Sequence, residues 1–296
     1  MRVRKGTTQY SSGSAADAAP AVGDPRDRTR ALDVPARYVV GMRVDAVTYD
    51  GVTQTIAEWA RAHQSRYICV ASVNNVILSR DDPLFLEAMN TADVTTPDGV
   101  PLVWALRLLG VPAAERVTGP VLMDRLCQEA AGAGIPVGLY GSTEDVVSSL
   151  RDRLQMRHPG LQIALAEAPP FRVLSERELE ATRIRIASSG VRVLFVGLGA
   201  PKQERWMADN AAYLPCVLVG VGAAFDVLAG RTSRPPMWMQ SLGLEWMYRL
   251  AHEPRRLWRR YVIGNPRFAV LFTRQLITRI AGTWIIDRVR QMEGAR

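Results

Sequence analysis

Short apolar runs alternate with segments of helical spacing along most of this chain. The apolar runs predict strands at residues 38–40, 43–47, 67–73, 135–140, 161–166, 191–196 and 216–221. Segments with apolar residues three and four apart predict helices at residues 51–63, 83–91, 119–131, 143–157, 176–188 and 201–211. Strands that alternate with helices indicate a parallel sheet covered by helices on both faces. The predicted fold is therefore α/β, with a Rossmann-like, mostly parallel sheet.

The two ends of the chain depart from this alternation. Residues 1–36 are rich in Ser, Ala, Gly, Asp and Arg without an apolar period, which is typical of a disordered leader. This leader lacks the apolar stretch of a secretory signal. Residues 37–240 make up the predicted α/β core. Residues 241–296 have a helical pattern, punctuated by Pro254 and Pro266, and predict a C-terminal helical, basic appendage.

Polar or glycine-rich sequence follows the predicted strands at four places, and a fifth polar joint follows a short run at residues 92–94. These joints are residues 72–75, 96–99, 141–143, 197–203 and 220–226. Ligands of parallel α/β sheets bind beyond the carboxyl ends of the strands. We therefore expect these five joints to converge on one site.

The joint at residues 197–203 carries two glycines and then Pro201, where a helix should begin. A helix N-terminus has free N–H groups and a positive dipole end, which favour a bound phosphate. The cation in this turn is Lys202, one of only two lysines in a chain with 35 arginines. A lysine in a chain that otherwise uses arginine indicates that this position favours a compact ammonium group over a guanidinium group.

Residues 197–199 and 220–222 each read G-x-G, which tight turns alone also explain. Two such joints favour a nucleotide or phosphate ligand over none. The dinucleotide fingerprint is incomplete, because Lys202 and Phe225 stand where its third glycine would be and no ribose-binding acidic residue follows about 20 residues later. A nicotinamide-dependent dehydrogenase is therefore a disfavoured alternative.

Two of the five joints contain an aspartate, Asp98 and Asp226. Asp98 lies between Pro97 and Gly99, a rigid turn that suits either a turn or N-cap aspartate or a general base held at a fixed angle. Asp226 either caps a short helix or binds a sugar hydroxyl. No Asp-x-Asp sequence occurs, which favours arginine, lysine and helix N-termini over a divalent metal for handling phosphate charge.

The basic excess of the chain lies in its last part. The formal net charge is +8, and residues 231–296 hold thirteen arginines against four acidic residues, with four of the seven tryptophans. Arginine and tryptophan together suit an anionic membrane surface, and nucleic acid is the competing partner. A non-catalytic membrane or nucleic-acid binding module is therefore a further alternative.

Within this basic tail, Arg249, Arg256 and Arg260 share one helical face if the helix continues past Pro254. Such a face is either a solvated basic surface or a contact for a diphosphate or a membrane. No apolar span of 18 residues occurs, so we expect the tail to lie on a bilayer rather than cross it.

The cysteines and histidines point to no special chemistry. Cys69, Cys127 and Cys216 are far apart and form no CxxC pair, which indicates neither disulfides nor a zinc site. The three histidines are equally scattered. This usage fits a reducing cytoplasm and predicts no metal site.

Taken together, these segments resemble the WecG/TagA/CpsF family of bacterial glycosyltransferases, glycosyltransferase family 26, over roughly residues 68–268. The blocks that carry the resemblance occur in the family's order and are highly specific as a set. They are Asn74; Ala92-Asp93; Pro97-Asp98-Gly99; Arg116 with Thr118-Gly119; Gly197-Leu198-Gly199; Pro201-Lys202-Gln203-Glu204; Gly220-Val221-Gly222; Phe225-Asp226; Leu244-Glu245-Trp246; Arg249; and Glu253-Pro254-Arg255.

The resemblance implies an inverting, metal-independent glycosyltransferase that needs no cofactor. Its implied donor is a UDP-sugar, and its implied acceptor is a saccharide on undecaprenyl diphosphate, as in the synthesis of teichoic acids, capsules and exopolysaccharides. It also implies a cytoplasmic protein that associates peripherally with the inner face of the membrane and binds no nucleic acid. The donor sugar, the acceptor saccharide and any oligomer stay open.

The resemblance also assigns roles to residues. Asp98 matches the family's proposed catalytic base. The implied donor- and acceptor-binding residues are Ser72, Asn74, Gly199, Lys202, Gln203, Gly222 and Asp226. The implied diphosphate- or membrane-contacting residues are Arg249, Arg255, Arg256 and Arg259. The chain departs from the family at two places: Ser72 replaces a frequent Thr and keeps the hydroxyl, and residues 119–122 replace Gly-x-Asp-Leu and lose a carboxylate.

Overall fold

The structure, a computed structural model, describes residues 34–233, 236, 238–239 and 243–293. The predicted leader lies outside the described residues except for residues 34–36, and so does the predicted boundary between residues 240 and 241. The first strand begins at Ala36.

A sheet of six parallel strands forms the centre of the protein, and a two-stranded antiparallel hairpin precedes it. The strands are β1 Ala36–Val39, β2 Met42–Asp45, β3 Arg66–Ala71, β4 Val94–Pro97, β5 Val137–Gly141, β6 Ile163–Glu167, β7 Val193–Gly197 and β8 Val217–Gly220. Across the sheet the order is β4-β3-β8-β7-β5-β6. The predicted α/β fold with a parallel sheet is confirmed.

Helices cover both faces of this sheet. They are α1 Tyr49–Arg61, α2 Val73–Asp81, α3 Pro83–Asn90, α4 Val100–Leu108, α5 Gly119–Ala133, α6 Glu144–Arg157, α7 Glu176–Ser188, α8 Lys202–Asn210, α9 Ala224–Leu228, α10 Glu245–His252, α11 Pro254–Trp258 and α12 Gly264–Glu293. A π-helical turn, Arg259–Ile263, joins α11 to α12. Each of the six helices predicted from spacing is present, with ends at most two residues away.

Both faces of the sheet are buried, because successive strand residues point to opposite sides and nearly all of them are apolar. On one face, Cys69 and Leu194 belong to a cluster with residues of α2, α3, α4, α8 and the start of α12. On the other face, Ile68 and Phe195 belong to a cluster with residues of α1, α5, α6 and α9. This double burial explains why the strands appear in the sequence as unbroken apolar runs.

Strand β4 and helices α2 and α4 were not among the elements predicted from the sequence. Strand β4 continues to Pro97, opposite Ala71 at an edge of the sheet, where a missing N–H is tolerated. Helix α2 buries the polar Asn75 and Ser79, so it has no apolar stripe to reveal it. Helix α4 is almost entirely apolar and exposes Trp104, which hides its period.

The start of α12 packs on the body of the protein. Phe268 and Phe272 stack with ring centroids 5.8 Å apart and are buried in the same cluster as one face of the sheet. Arg267 forms an ion pair with Asp81 at the end of α2, with 2.5 Å between Nη2 and Oδ1. Gln275 exchanges two hydrogen bonds with backbone groups of the β1–β2 hairpin, at 2.6 and 2.7 Å. Neither α12 nor any other described helix is long and apolar enough to cross a membrane.

Candidate active site

The carboxyl ends of neighbouring strands open into one cleft. Its volume of about 450 Å³ lies within the range of small-molecule sites. The structure brings all five polar or glycine-rich joints together in its walls, and α10, α11 and the π-helical turn complete them. A smaller space of about 110 Å³ adjoins it, between the starts of α2 and α4 and helix α10. Both spaces are lined by Ser72, Asp98, Arg116, Glu245, Arg249 and Arg260.

Asp98 lies directly after β4, where the two spaces meet. Its backbone N–H donates to the carbonyl oxygen of Ala71 at the end of β3, at 2.8 Å. Arg116 donates to the carbonyl oxygen of Asp98 and, at 3.4 Å, to its Oδ1. The same guanidinium group forms a bidentate ion pair with Glu245, at 2.6 and 2.7 Å. The contacts of Arg116 thus fix the Asp98 turn against α10.

The electrostatic environment of Asp98 makes it more basic than an ordinary aspartate. Burial raises the pKa of Asp98, opposed by the cations of Arg116 and Arg249 and reinforced by the carboxylate of Glu245. Because 31% of its side-chain surface is open, Asp98 stays accessible from the cleft. An accessible carboxylate with a raised pKa suits a general base.

A chain of hydrogen bonds between side chains runs along the floor of the cleft. Ser72 Oγ donates to Asn75 Oδ1 at 3.0 Å, and Asn75 Nδ2 donates to Glu204 Oε1 at 3.2 Å. Gln203 Nε2 donates to the same Glu204 oxygen at 3.3 Å. Gln203 Oε1 accepts from the backbone N–H of Gly222 at 2.9 Å. The chain therefore connects the residues that follow β3, β7 and β8.

Glu204, in the middle of this chain, is 1% exposed. Burial raises the pKa of Glu204 to about 7, against the hydrogen bonds from Asn75 and Gln203 and the cation of Arg260, which lower it. Its Oε2 has no hydrogen-bond partner among the described residues. Glu204 is therefore a carboxyl group that is neutral below about pH 7.

Three arginines from the C-terminal part of the chain line the cleft: Arg249 of α10, Arg256 of α11 and Arg260 of the π-helical turn. Arg260 donates to Ser72 Oγ at 3.1 Å, and Arg256 pairs with Glu253 at 2.5 Å. Burial lowers the pKa of Arg260. Cations gathered in a partly buried cleft favour an anionic ligand, which offsets the cost of taking them out of water.

The sequence profile of the glycosyl transferase WecG/TagA/CpsF family matches residues 37–282. The chain belongs to this family. A curated relative, the N-acetylglucosaminyldiphosphoundecaprenol N-acetyl-beta-D-mannosaminyltransferase of Bacillus spizizenii, is 30% identical over 226 residues, which cover 76% of this chain and 85% of the relative. The predicted glycosyltransferase is confirmed at the level of the family, and the dehydrogenase and the non-catalytic module are set aside.

The glycosyltransferase cleft brings together most of the site residues predicted from sequence. Those that line the larger space are Ser72, Asp98, Gly199, Gln203, Gly222, Asp226, Arg249 and Arg256, and Asn74 lines the smaller one. Lys202 begins α8 as expected, but it is exposed and outside both linings. Arg255 and Arg259 are likewise exposed and outside them.

Asp226 lies in α9 and lines the larger space but not the smaller one. Burial raises its pKa, with Glu253 adding to the rise and the cations of Arg256 and Arg249 lowering it. In the described ranges, no three His, Cys, Asp or Glu side chains are grouped as metal ligands would be.

The cleft residues that were not assigned from sequence include Arg116, Glu204, Glu245 and Arg260. Arg116, Glu204 and Glu245 belong to blocks that carry the resemblance, but nothing in those blocks indicates which side chains they contact. The sequence did indicate a shared position for Arg260, because its spacing places it on one helical face with Arg249 and Arg256.

Proposed function

We propose that this glycosyltransferase transfers an N-acetylhexosamine from a UDP-sugar, with inversion, to N-acetylglucosamine on undecaprenyl diphosphate in cell-wall polymer synthesis. The observation that carries the proposal is the position of Asp98 between two spaces, one of them lined by glycine joints and arginines. The relative from Bacillus spizizenii is named for this acceptor and for a β-linked product. N-acetylmannosamine is therefore the first donor sugar to test.

The larger space suits the nucleotide sugar. Gly199 and Gly222 both have φ in the left-handed region, at +75° and +52°, where a side chain would be strained. Their bare backbone allows a diphosphate to approach closely, and Arg249 and Arg256 supply opposite charge. Asp226, which also lines this space, offers acceptors for hydroxyl groups. The smaller space, lined by Asn74, then receives the acceptor sugar.

In the proposed reaction, the Asp98 carboxylate takes the proton of the acceptor hydroxyl while its oxygen attacks the anomeric carbon. The bond between that carbon and the donor diphosphate breaks, and UDP leaves with the electron pair. Attack opposite the leaving group inverts the configuration. Arg249 and Arg256 stabilise the charge that develops on the diphosphate, and Arg116 holds Asp98 in place.

The assay that tests this proposal pairs UDP-N-acetylmannosamine and other UDP-sugars with N-acetylglucosaminyl-diphospho-undecaprenol. Mass spectrometry of the lipid should show the gain of one N-acetylhexosamine, with a β linkage, and the rate should be unchanged in the presence of a chelator. If a product forms only with a different lipid-linked acceptor, the proposed acceptor is wrong and that acceptor takes its place. Absence of any product, together with no binding of UDP, would contradict the proposed donor class.

We further propose that the protein associates peripherally with the membrane through arginines outside the cleft. Arg255 and Arg259 are exposed, and Arg259 lies beside the half-exposed Trp258, with 5.4 Å to the ring centroid. Arginine beside tryptophan suits the headgroup region of an anionic bilayer. This assigns separate roles to the arginines: those in the cleft bind diphosphate and those outside it bind lipid.

Paired substitutions test this separation. Arg256→Gln should lower kcat/KM by about 10- to 100-fold, because it removes a charged contact to diphosphate, and should leave binding to anionic liposomes intact. Arg255→Gln combined with Arg259→Gln should weaken liposome flotation and change kcat/KM for a short-chain, water-soluble acceptor by less than about threefold. Equal effects of both changes on both measurements would contradict the separation. Substitution is preferable to removing the tail, which would strip Phe268 from the core.

A further inference from the structure

Glu204 is the point at which the two halves of the hydrogen-bonded chain meet. One oxygen, Oε1, accepts from Asn75 on one side and from Gln203 on the other. Neither amide NH₂ group has another acceptor among the described contacts. Without this oxygen, both amides would be free to rotate and would leave buried donors unpaired.

The Gln203 half of the chain leads to the donor side of the cleft. Gln203 is 3% exposed, and its Oε1 holds the N–H of Gly222. It lies against the end of β8 so closely that a Cβ on Gly220 would be 2.6 Å from Gln203 Nε2. The orientation of this amide therefore decides the shape of the glycine joint at which the proposed donor diphosphate lies.

The Asn75 half leads to the arginine side of the cleft. Asn75 Oδ1 accepts from both the N–H and the Oγ of Ser72, at 3.0 Å each, so the hydroxyl hydrogen points inward. The free lone pairs of Ser72 Oγ face Arg260, which donates to them at 3.1 Å. The position of Arg260 therefore depends on the orientation of the Asn75 side-chain amide.

From these contacts we propose that Glu204 is a positioning residue. It holds the Gln203–Gly222 contact in the geometry needed for donor binding, and it holds Ser72 in the orientation in which Ser72 accepts the hydrogen bond from Arg260. In this role Glu204, which is 1% exposed, acts through the amides of Asn75 and Gln203. The proposal rests on the proposed function in one respect, the assignment of the larger space to a nucleotide sugar. Its main effect is expected on donor binding, because the Gln203 half borders that space directly.

Two substitutions of Glu204 separate positioning from simple packing. Glu204→Gln keeps an oxygen that accepts from both amides, whereas Glu204→Leu keeps similar volume and removes every acceptor. We expect Glu204→Leu to raise the KM of the UDP-sugar and the Kd of UDP by at least about tenfold, with a rise at least about fivefold smaller in the KM of the lipid acceptor. Glu204→Gln should restore both values to within about threefold of the parent protein.

A substitution elsewhere controls for lost stability. Asp45 is 3% exposed, accepts from Arg43 and from the backbone N–H of Thr95, and lines neither space of the cleft. Asp45→Asn should therefore destabilise the fold while leaving the KM of the UDP-sugar unchanged. If Asp45→Asn and Glu204→Leu raise that KM equally, or if Glu204→Gln fails to restore it, the positioning role is overturned.

A second measurement needs no ligand. Hydrogen–deuterium exchange at the Gly222 amide reports the Gln203 contact, because that amide donates to Gln203 Oε1 at 2.9 Å and makes only a longer second bond, at 3.3 Å, to the carbonyl oxygen of Val196. We expect exchange there to become at least about tenfold faster in Glu204→Leu than in Glu204→Gln, relative to the buried strand β8 in the same protein. Equal exchange in the two variants would overturn the proposal. If the parent protein binds no UDP, the donor assignment fails, and this exchange measurement still decides the role of Glu204.

Discussion

Asp98→Asn is expected to lower kcat by about 10²- to 10⁴-fold while donor binding and the fold stay intact. The amide keeps the size of the carboxyl group and can still accept a hydrogen bond from Arg116. It cannot take the proton of the acceptor hydroxyl, so the attacking oxygen must lose that proton to water. The expected loss corresponds to a rise of about 3–5 kcal/mol in the activation barrier.

The measurement is a single-turnover rate with the UDP-sugar and the lipid acceptor, together with the Kd of UDP and the midpoint of thermal unfolding. Asp209→Asn is the matched control, because Asp209 is an exposed aspartate on α8 outside the cleft. Both variants should bind UDP as the parent does. A kcat for Asp98→Asn within about threefold of the parent would rule out Asp98 as the base.

Glu204→Gln is expected to be more stable than the parent protein at pH 8, by up to about 3 kcal/mol, and equally stable near pH 4.5. The pKa of Glu204 rises from its ordinary 4.5 to about 7 in the folded protein, chiefly through burial. The folded state therefore holds this proton more tightly than the unfolded state does. Stability from the neutral carboxyl is fully present below pH 4.5 and is lost as the pH rises towards 7.

Glutamine in this position carries no titrating group, so the variant should lack that decline. Chemical denaturation at several pH values between 4.5 and 8 measures the difference in the free energy of unfolding. Glu58→Gln, on the exposed face of α1, is the control and should change this free energy by less than about 0.5 kcal/mol at either end of the range. The groups that interact with Glu204 electrostatically include Arg260 and the buried Cys69 thiol. If the difference in the free energy of unfolding between the parent protein and Glu204→Gln does not vary with pH, Glu204 is not a buried neutral carboxyl group.

The fold was predictable because the sheet is buried on both sides. Strands such as Val193–Gly197 are uniformly apolar, and the amphipathic helices between them keep their spacing. Helix α2 was not predicted because Asn75 faces inward and belongs to the hydrogen-bonded chain, at a position where a core helix would have an apolar residue. Polar residues at buried positions erase the very period on which prediction from sequence depends.

The candidate site was predictable in its joints and less so in its side chains. Neighbouring parallel strands end at the same edge of a sheet. The convergence of the glycine joints could therefore be predicted without knowing how the side chains pack. The contacts of Arg116 with Glu245 and of Arg260 with Ser72 join residues far apart in sequence. Local pattern contains no information on such pairs, and the exposed positions of Lys202 and Arg255 likewise depend on how α8 and α11 are rotated.

The cleft arginines belong to a segment that is fastened at both ends. Phe225 of α9 lies in one apolar cluster and Phe268 of α12 lies in the other, and Arg249 and Arg256 come between them in the chain. A segment tethered in this way keeps its guanidinium groups at a high effective concentration near the cleft. The diphosphate ligand that we propose would therefore meet cations that the fold already holds near the cleft, without the entropic cost of recruiting a free tail.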